Sequence, residues 1–177
     1  GMVFILPILI LISILIKLTS KGPVLYGQER MGLDGNKFTM WKFRTMTQAK
    51  NDEDKVEWSS KENTRKTPFG NFLRRTSLDE LPQLWNVLIG NMSLIGPRPE
   101  RPFFVQKFRD DIPAYMLRHK MKAGITGWAQ INGFRGDTCL KQRLECDIYY
   151  IKNWSIWFDF KIVFLTIWKG FVNKNAY

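Results

Sequence analysis

The chain opens on an apolar run, residues 2–18 (MVFILPILILISILIKL), in which Ser13 and Lys17 are the only side chains with polar groups. A run of this length reads as a helix, and Pro7 predicts a kink, because proline lacks a backbone donor and crowds the preceding turn. About 20 apolar residues are needed to cross a bilayer, so the visible run falls slightly short. Three readings compete: a transmembrane helix whose start is cut off, a kinked helix entering and leaving by one face, and a buried core helix or signal peptide. No small-residue cleavage site follows. Lys17-Leu18-Thr19-Ser20-Lys21 instead gives a basic flank suited to the cytoplasmic edge of a membrane. Membrane contact is the favoured expectation. Gly1 before Met2 reads as a trimmed boundary, with more of the apolar segment expected upstream.

Shorter patterns follow. The β-like runs at 24–26 and 38–43 flank Gly32 to Gly35 and predict a small hairpin, with Asp34-Gly35 near its turn. Residues 47–67 are strongly polar and read as a solvated loop. Leu78, Leu81, Leu84, Trp85, Leu88 and Ile89 recur at three- and four-residue spacings, which predicts an amphipathic helix. Ser77 with Glu80 makes a capping-box pattern at its start, and Gly90 is a natural stop. The stretch GPRPERP (96–102) is too proline-rich for helix or strand and predicts a stiffened loop. A helix near 103–110, a further helical stretch after Pro113, and a glycine-punctuated loop with a short strand at 123–136 come next. Residues 140–172 read as helical in pieces, crowded with rings from Trp154 to Phe171 and interleaved with Lys152, Asp159, Lys161 and Lys169. The charges argue against a span; an amphipathic helix in the headgroup region is favoured over one packed only on the core.

Composition narrows the partners. A net charge of +11, from 27 basic and 16 acidic residues, implies an anionic partner: nucleic acid, an acidic membrane surface or a phosphorylated substrate. Seven tryptophans suit stacking surfaces or a membrane interface. Cys139 and Cys146 form no disulfide framework; on a helix they stand roughly 10 Å apart, beyond bridging reach. His119 is the only histidine, which excludes a multi-histidine metal site. A nucleic-acid-binding protein leaves the apolar run unexplained and no recognition motif is visible, so no nucleic-acid partner is expected. A non-catalytic membrane scaffold has no use for the carboxylates and arginines that follow.

Asp79 and Glu80 are adjacent carboxylates with Arg74 and Arg75 just upstream. First-turn acids often serve only the helix dipole. Among arginines they also suit phosphate and a divalent cation, with a carboxylate binding the ion or attacking phosphorus. Arg98 lies between Pro97 and Pro99, which fix the backbone and reduce the entropy lost on binding a ligand. Gly124, Gly127, Gly133 and Gly136, with Gln130, Asn132 and Arg135, can wrap a nucleotide or simply serve turns. Trp128 suits a base stack or, more commonly, the core.

Together KFRTM (42–46), RRTSLDELPQLWNVLIGNMSLIGPRPE (74–100) and GITGWAQING (124–133) resemble the bacterial sugar transferase family, the monotopic phosphoglycosyl transferases. The resemblance extends over essentially the whole chain, and the C-terminal stretch is most similar to the polyprenyl glycosyl-phosphotransferases that start exopolysaccharide synthesis. It implies an α+β, mostly helical monotopic phosphoglycosyl transferase fold. Residues 1–20 would be a re-entrant membrane helix broken at Pro7, and residues 21–177 the catalytic domain with interfacial amphipathic helices. It implies transfer of hexose 1-phosphate from a UDP-sugar (UDP-glucose or UDP-galactose) to polyprenyl phosphate, namely undecaprenyl phosphate. Asp79 would attack the β-phosphorus, releasing UMP and holding the phosphosugar covalently. Glu80, beside Asp79, would hold Mg²⁺, and Arg98 of the Pro97-Arg98-Pro99 loop, with Arg75 and Arg135, would hold phosphate or nucleotide. The implied location is the cytoplasmic face of the bacterial inner membrane, among anionic lipids, with a homodimer plausible for longer relatives. Asn91 and Ala123 depart from the family pattern, which commonly has Asp and Pro there; both lie outside the Asp79-Glu80 pair.

Overall fold

The apolar run forms a single helix, α1 (Met2–Thr19), which runs on through Pro7 without a break. The computed structural model describes residues 2–47, 67–135 and 138–172, so most of the expected polar loop, at 48–66, lies outside the described residues. Eighteen residues make a helix of about 27 Å, against a hydrocarbon core of about 30 Å. Among the described residues, no helix is long and apolar enough to cross a membrane. Leu9, Ile12 and Ile16, one stripe at helical spacing, pack inward, while Leu6, Ile10, Leu11, Ile14 and Leu18 are exposed.

The predicted hairpin is present. Strands β1 (Leu25–Met31) and β2 (Lys37–Phe43) pair in a two-stranded sheet, joined through a 3-10 turn at Leu33–Gly35. Asp34 and Gly35 both take left-handed backbone there (φ 51° and 79°), the geometry for which Asp-Gly is favoured.

The chain divides into two compact units, and both hairpin strands change unit midway. The first takes residues through Gly27 and Trp41–Pro82, including α2 (Pro68–Arg75). Its core is Ile12, Ile16, Phe43 and Leu73, with Leu78 and Leu81 packed against it. Arg44 donates to the carbonyl and hydroxyl of Ser20, each at 2.8 Å, and so ties the end of α1 to β2.

The single helix expected from Ser77 to Gly90 is not formed. Ser77 is left-handed (φ 56°) and makes no side-chain cap, so the capping box is absent. Leu78–Glu80 form a 3-10 turn, and α3 (Gln83–Leu88) begins only after Pro82. Pro82 lacks the N–H that a continuous helix would aim at the Leu78 carbonyl. The apolar stripe divides accordingly: Leu78 and Leu81 pack in the first unit, while Trp85, Leu88 and Ile89 are exposed and α3 buries Gln83 and Asn86. Gly90 (φ 83°) ends α3 as expected.

The second unit comprises Gln28–Met40 and Gln83–Lys174. Strands β3 (Ser93–Ile95) and β4 (Gly124–Thr126) pair in parallel, Ser93 opposite Gly124 and Ile95 opposite Thr126. Around them stand α4 (Pro102–Asp111), a 3-10 turn (Tyr115–Lys120), α5 (Trp128–Ile131), α6 (Leu140–Lys152) and α7 (Ile156–Val172). The protein is thus α+β and mostly helical, with small sheets. Two apolar clusters fill this unit, one centred on Val105, Tyr115 and Leu144, the other on Ile131, Tyr150 and Ile162. Helix α7 packs Phe158, Ile162 and Leu165 inward while Trp157, Phe160, Phe164 and Trp168 are exposed, so it both joins the core and presents an apolar outer face.

Gly70 in α2 is required by close approach: a Cβ there would stand 2.1 Å from the Thr45 carbonyl oxygen. Backbone cannot yield cheaply, so Gly70→Ala is expected to cost about 3 kcal/mol. Thermal unfolding should show a midpoint about 6–12 °C lower, with the exposed neighbour change Asn71→Ala near the parent.

Candidate active site

The first unit builds a paired carboxylate site from a tight turn. Helix α2 ends at Arg75, Ser77 turns the chain through left-handed backbone, and the 3-10 turn brings Asp79 and Glu80 inward at 7% and 6% exposure. Carboxylates this buried need a cation or donor close by. Lys42 of β2 supplies one, its Nζ 2.8 Å from Glu80 Oε1. The three residues of the KFR segment therefore have distinct tasks within this unit: Lys42 meets Glu80, Phe43 enters the core and Arg44 secures α1. Arg75 is exposed at the end of α2, four residues before Asp79.

Two neighbouring carboxylates offer hard oxygen donors. Among the described residues, no cluster of three or more His, Cys, Asp or Glu stands ready to hold a metal on protein ligands alone. Mg²⁺ does not ask for one, since it commonly keeps waters and takes one or two carboxylates together with substrate phosphates. Asp79 and Glu80 fit that donor set.

The second unit carries Pro97, Arg98, Pro99 and Arg135. Proline nitrogens cannot donate, so the Pro-Arg-Pro loop is held by its carbonyls. Four in succession are engaged. Pro97 O accepts from Gly124 N (2.9 Å), Arg98 O from Arg118 Nη2 (2.9 Å), Pro99 O from Arg30 Nη1 (3.1 Å) and Glu100 O from Met31 N (2.9 Å). Pro97 and Pro99 are buried and Arg98 is half-buried. Arg135, just beyond α5, is also half-buried.

Of the glycines expected either to wrap a nucleotide or to serve turns, Gly124 and Gly127 meet close backbone, and Gly133 stands in a turn with left-handed backbone (φ 87°) and open space around it. A Cβ on Gly124 would lie 2.1 Å from Gly96 N, and one on Gly127 2.2 Å from Gly96 O. Gln130 and Asn132 donate to the nearby carbonyls of Ile125 and Trp128, both at 2.9 Å. Trp128 packs on Phe158 and Tyr149, so its place is the core. Gly136 lies outside the described residues.

Sequence reasoning missed the charges beneath the loop. Arg118 is 2% exposed and stands 2.8 Å from Asp147 and 3.9 Å from Glu100; Arg143 and Arg30 also pair with Glu100. The Arg118–Asp147 contact is a charge contact, while the aligned Nη2 bond goes to the Arg98 carbonyl. Burial alone would lower the Arg118 pKa; Asp147, Tyr115 and Glu100 outweigh it and raise it, keeping the cation firmly charged. Burial lifts the Asp147 carboxyl above the ordinary carboxylate range, against the pull of Arg118 and Arg143. One signal was legible: Arg143 and Asp147 fall among Leu140, Leu144 and Ile148 on α6, charges at core spacing.

His119 sits beside this network. Its Nδ1 lies 3.2 Å from Gly32 O, and burial followed by Arg118 repulsion lowers its pKa from 6.5 to about 4. It borders a hollow shared with Gly32, Pro97, Arg98 and Arg118. That space suits about one water and is too small for a sugar nucleotide.

The model of the bacterial sugar transferase family matches residues 1–173. Proteins named UDP-glucose:undecaprenyl-phosphate glucose-1-phosphate transferase from Klebsiella pneumoniae and Escherichia coli are 53% and 54% identical, over 99% and 97% of this chain. A UDP-N-acetylgalactosamine-undecaprenyl-phosphate N-acetylgalactosaminephosphotransferase from Aeromonas hydrophila is 44% identical over 91% of the chain. The chain spans 38% of the length of each of these three relatives.

His119 gives a pH dependence with a definite sign. The unfolded chain takes up the histidine proton near 6.5 and the folded chain only near 4, so acid favours unfolding between those values. Its contribution to stability should be complete above pH 6.5 and fall by about 3 kcal/mol towards pH 4. Denaturant midpoints measured across that window should lose this slope in His119→Gln.

Proposed function

Because the chain belongs to the bacterial sugar transferase family, we propose that it transfers hexose 1-phosphate from a UDP-sugar to undecaprenyl phosphate, with glucose as the first sugar to test. The observation that carries this reading is the buried Asp79-Glu80 pair with Lys42 on Glu80. Sugar preference follows the relatives from Klebsiella and Escherichia, whose names specify UDP-glucose.

In this reading Asp79 is the nucleophile. Its carboxylate oxygen bonds to the β-phosphorus of the UDP-sugar, the bond from that phosphorus to the bridging oxygen breaks, and UMP departs with the electron pair. An oxygen of the lipid phosphate then attacks the acyl phosphate, releasing Asp79 and forming polyprenyl diphosphate-sugar. A covalent intermediate lets a soluble and a lipid substrate use one nucleophile in turn, which predicts ping-pong kinetics. Lys42 directs Glu80, and Arg98, with Arg75 and Arg135, is assigned to phosphate oxygens. Bound to Asp79 and Glu80, Mg²⁺ would neutralise diphosphate charge that otherwise repels the carboxylate.

A lipid substrate calls for a membrane surface. The exposed apolar side of α1 supports insertion into one leaflet as part of a re-entrant helix, and the exposed rings of α7 separately support an interfacial place for that helix. The proposed location is the cytoplasmic face of the bacterial inner membrane, where basic residues meet anionic lipids.

The test is UMP release from UDP-glucose with Mg²⁺, in nanodiscs containing undecaprenyl phosphate. Asp79→Asn is expected to lower the rate about a thousandfold or more, while Glu80→Gln keeps a measurable residue. Release unaffected by Asp79→Asn removes the nucleophile assignment. Release from UDP-galactose or UDP-N-acetylgalactosamine but not UDP-glucose would reassign the sugar.

A further inference from the structure

The Pro-Arg-Pro loop is secured from below by charges that stability alone does not require. A buried ion pair is often replaceable by apolar side chains at no loss of stability, although removing one partner is costly. Yet within the second unit Arg118 is almost wholly enclosed, and its aligned Nη2 bond is spent on the backbone carbonyl of Arg98. Its charge is balanced by Asp147 at 2.8 Å and Glu100 at 3.9 Å. Asp147 is in turn fixed on α6, one turn beyond Arg143, which also pairs with Glu100. Glu100 itself follows the loop directly, and its carbonyl is held by Met31 N. The tie therefore runs from a core helix, through a guanidinium, to the backbone of the arginine between the two prolines.

We propose that Asp147 and Arg118 are positioning residues for Arg98: Asp147 orients Arg118, and Arg118 fixes the Arg98 carbonyl so that the Arg98 side chain meets the diphosphate of the sugar nucleotide in one orientation. The inference rests on the assignment of Arg98 to phosphate. A loop pinned at this carbonyl loses little freedom on binding, whereas a loop released there must be ordered by the ligand. Neither Asp147 nor Arg118 touches substrate in this account; they act through Arg98.

A mutant cycle on the full chain in detergent tests it, with UDP-glucose as the probe and its dissociation constant in Mg²⁺ as the readout. Arg98→Ala should weaken binding about tenfold. Asp147→Asn, which keeps shape and removes charge, should weaken it by about tenfold as well. In the Arg98→Ala background the same Asp147→Asn change should add almost nothing, a non-additivity that general loss of stability does not produce. Arg118→Lys retains a cation for Asp147 but loses the guanidinium fork, so it should follow Asp147→Asn and serves if that variant does not fold. Failure of both to fold gives the network a structural role and overturns the proposal. So does full additivity, or unchanged binding in Asp147→Asn while Arg98→Ala is weakened. If Arg98→Ala itself binds normally, the phosphate assignment of Arg98 fails first, and the positioning role falls with it.

Discussion

A carboxylate taken out of water must find a cation at contact distance, and this requirement organises both units of the protein. In the first, Glu80 is 6% exposed and draws Lys42 to 2.8 Å, which ties strand β2 to the turn that carries Asp79. In the second, Glu100 and Asp147 gather Arg30, Arg118 and Arg143 beneath the Pro-Arg-Pro loop. Removing one partner from such a pair typically costs about 3–5 kcal/mol, because the remaining charge is stranded. The positive balance of the sequence is therefore partly an internal device: several of its arginines are buried and spent on the chain's own carboxylates and carbonyls.

The apolar surface tells a complementary story. Among the described residues, helix α1 turns Leu9, Ile12 and Ile16 into its core, and α7 keeps Trp157, Phe160, Phe164 and Trp168 outward. Exposed apolar area is disfavoured in water by about 25 cal/mol per Å², so both faces suit a non-aqueous neighbour. An enzyme handling a lipid phosphate needs its chemistry near such a neighbour, and the proposed activity brings the two requirements together.

Much of this was legible in the residues. Asp34-Gly35 named its own turn, Gly90 its own stop, and the proline pair its irregular loop, because each acts through a local backbone constraint. The helix predicted over 77–89 failed for the same kind of reason: Pro82 outweighed a convincing apolar stripe, and Ser77 adopted left-handed backbone rather than capping. Asp79 and Glu80 were recognisable as a pair, but Lys42 is 38 residues away from Glu80 in sequence, and no periodicity connects them. Glycines 124 and 127 were ambiguous because a close backbone approach and a ligand-wrapping loop place the same demand on residue type. The Arg118–Asp147 tie was invisible for want of any local signature beyond a charge at a core position of α6.

The proposed chemistry turns on a covalent bond between Asp79 and the phosphosugar. The most direct measurement is intact mass and peptide mapping after mixing the protein with UDP-glucose and Mg²⁺ in the absence of lipid acceptor. A mass increase of one hexose phosphate is expected on the peptide containing Asp79, lost when undecaprenyl phosphate is added. UMP released with no adduct at any time, or an adduct that persists in Asp79→Asn, would contradict it.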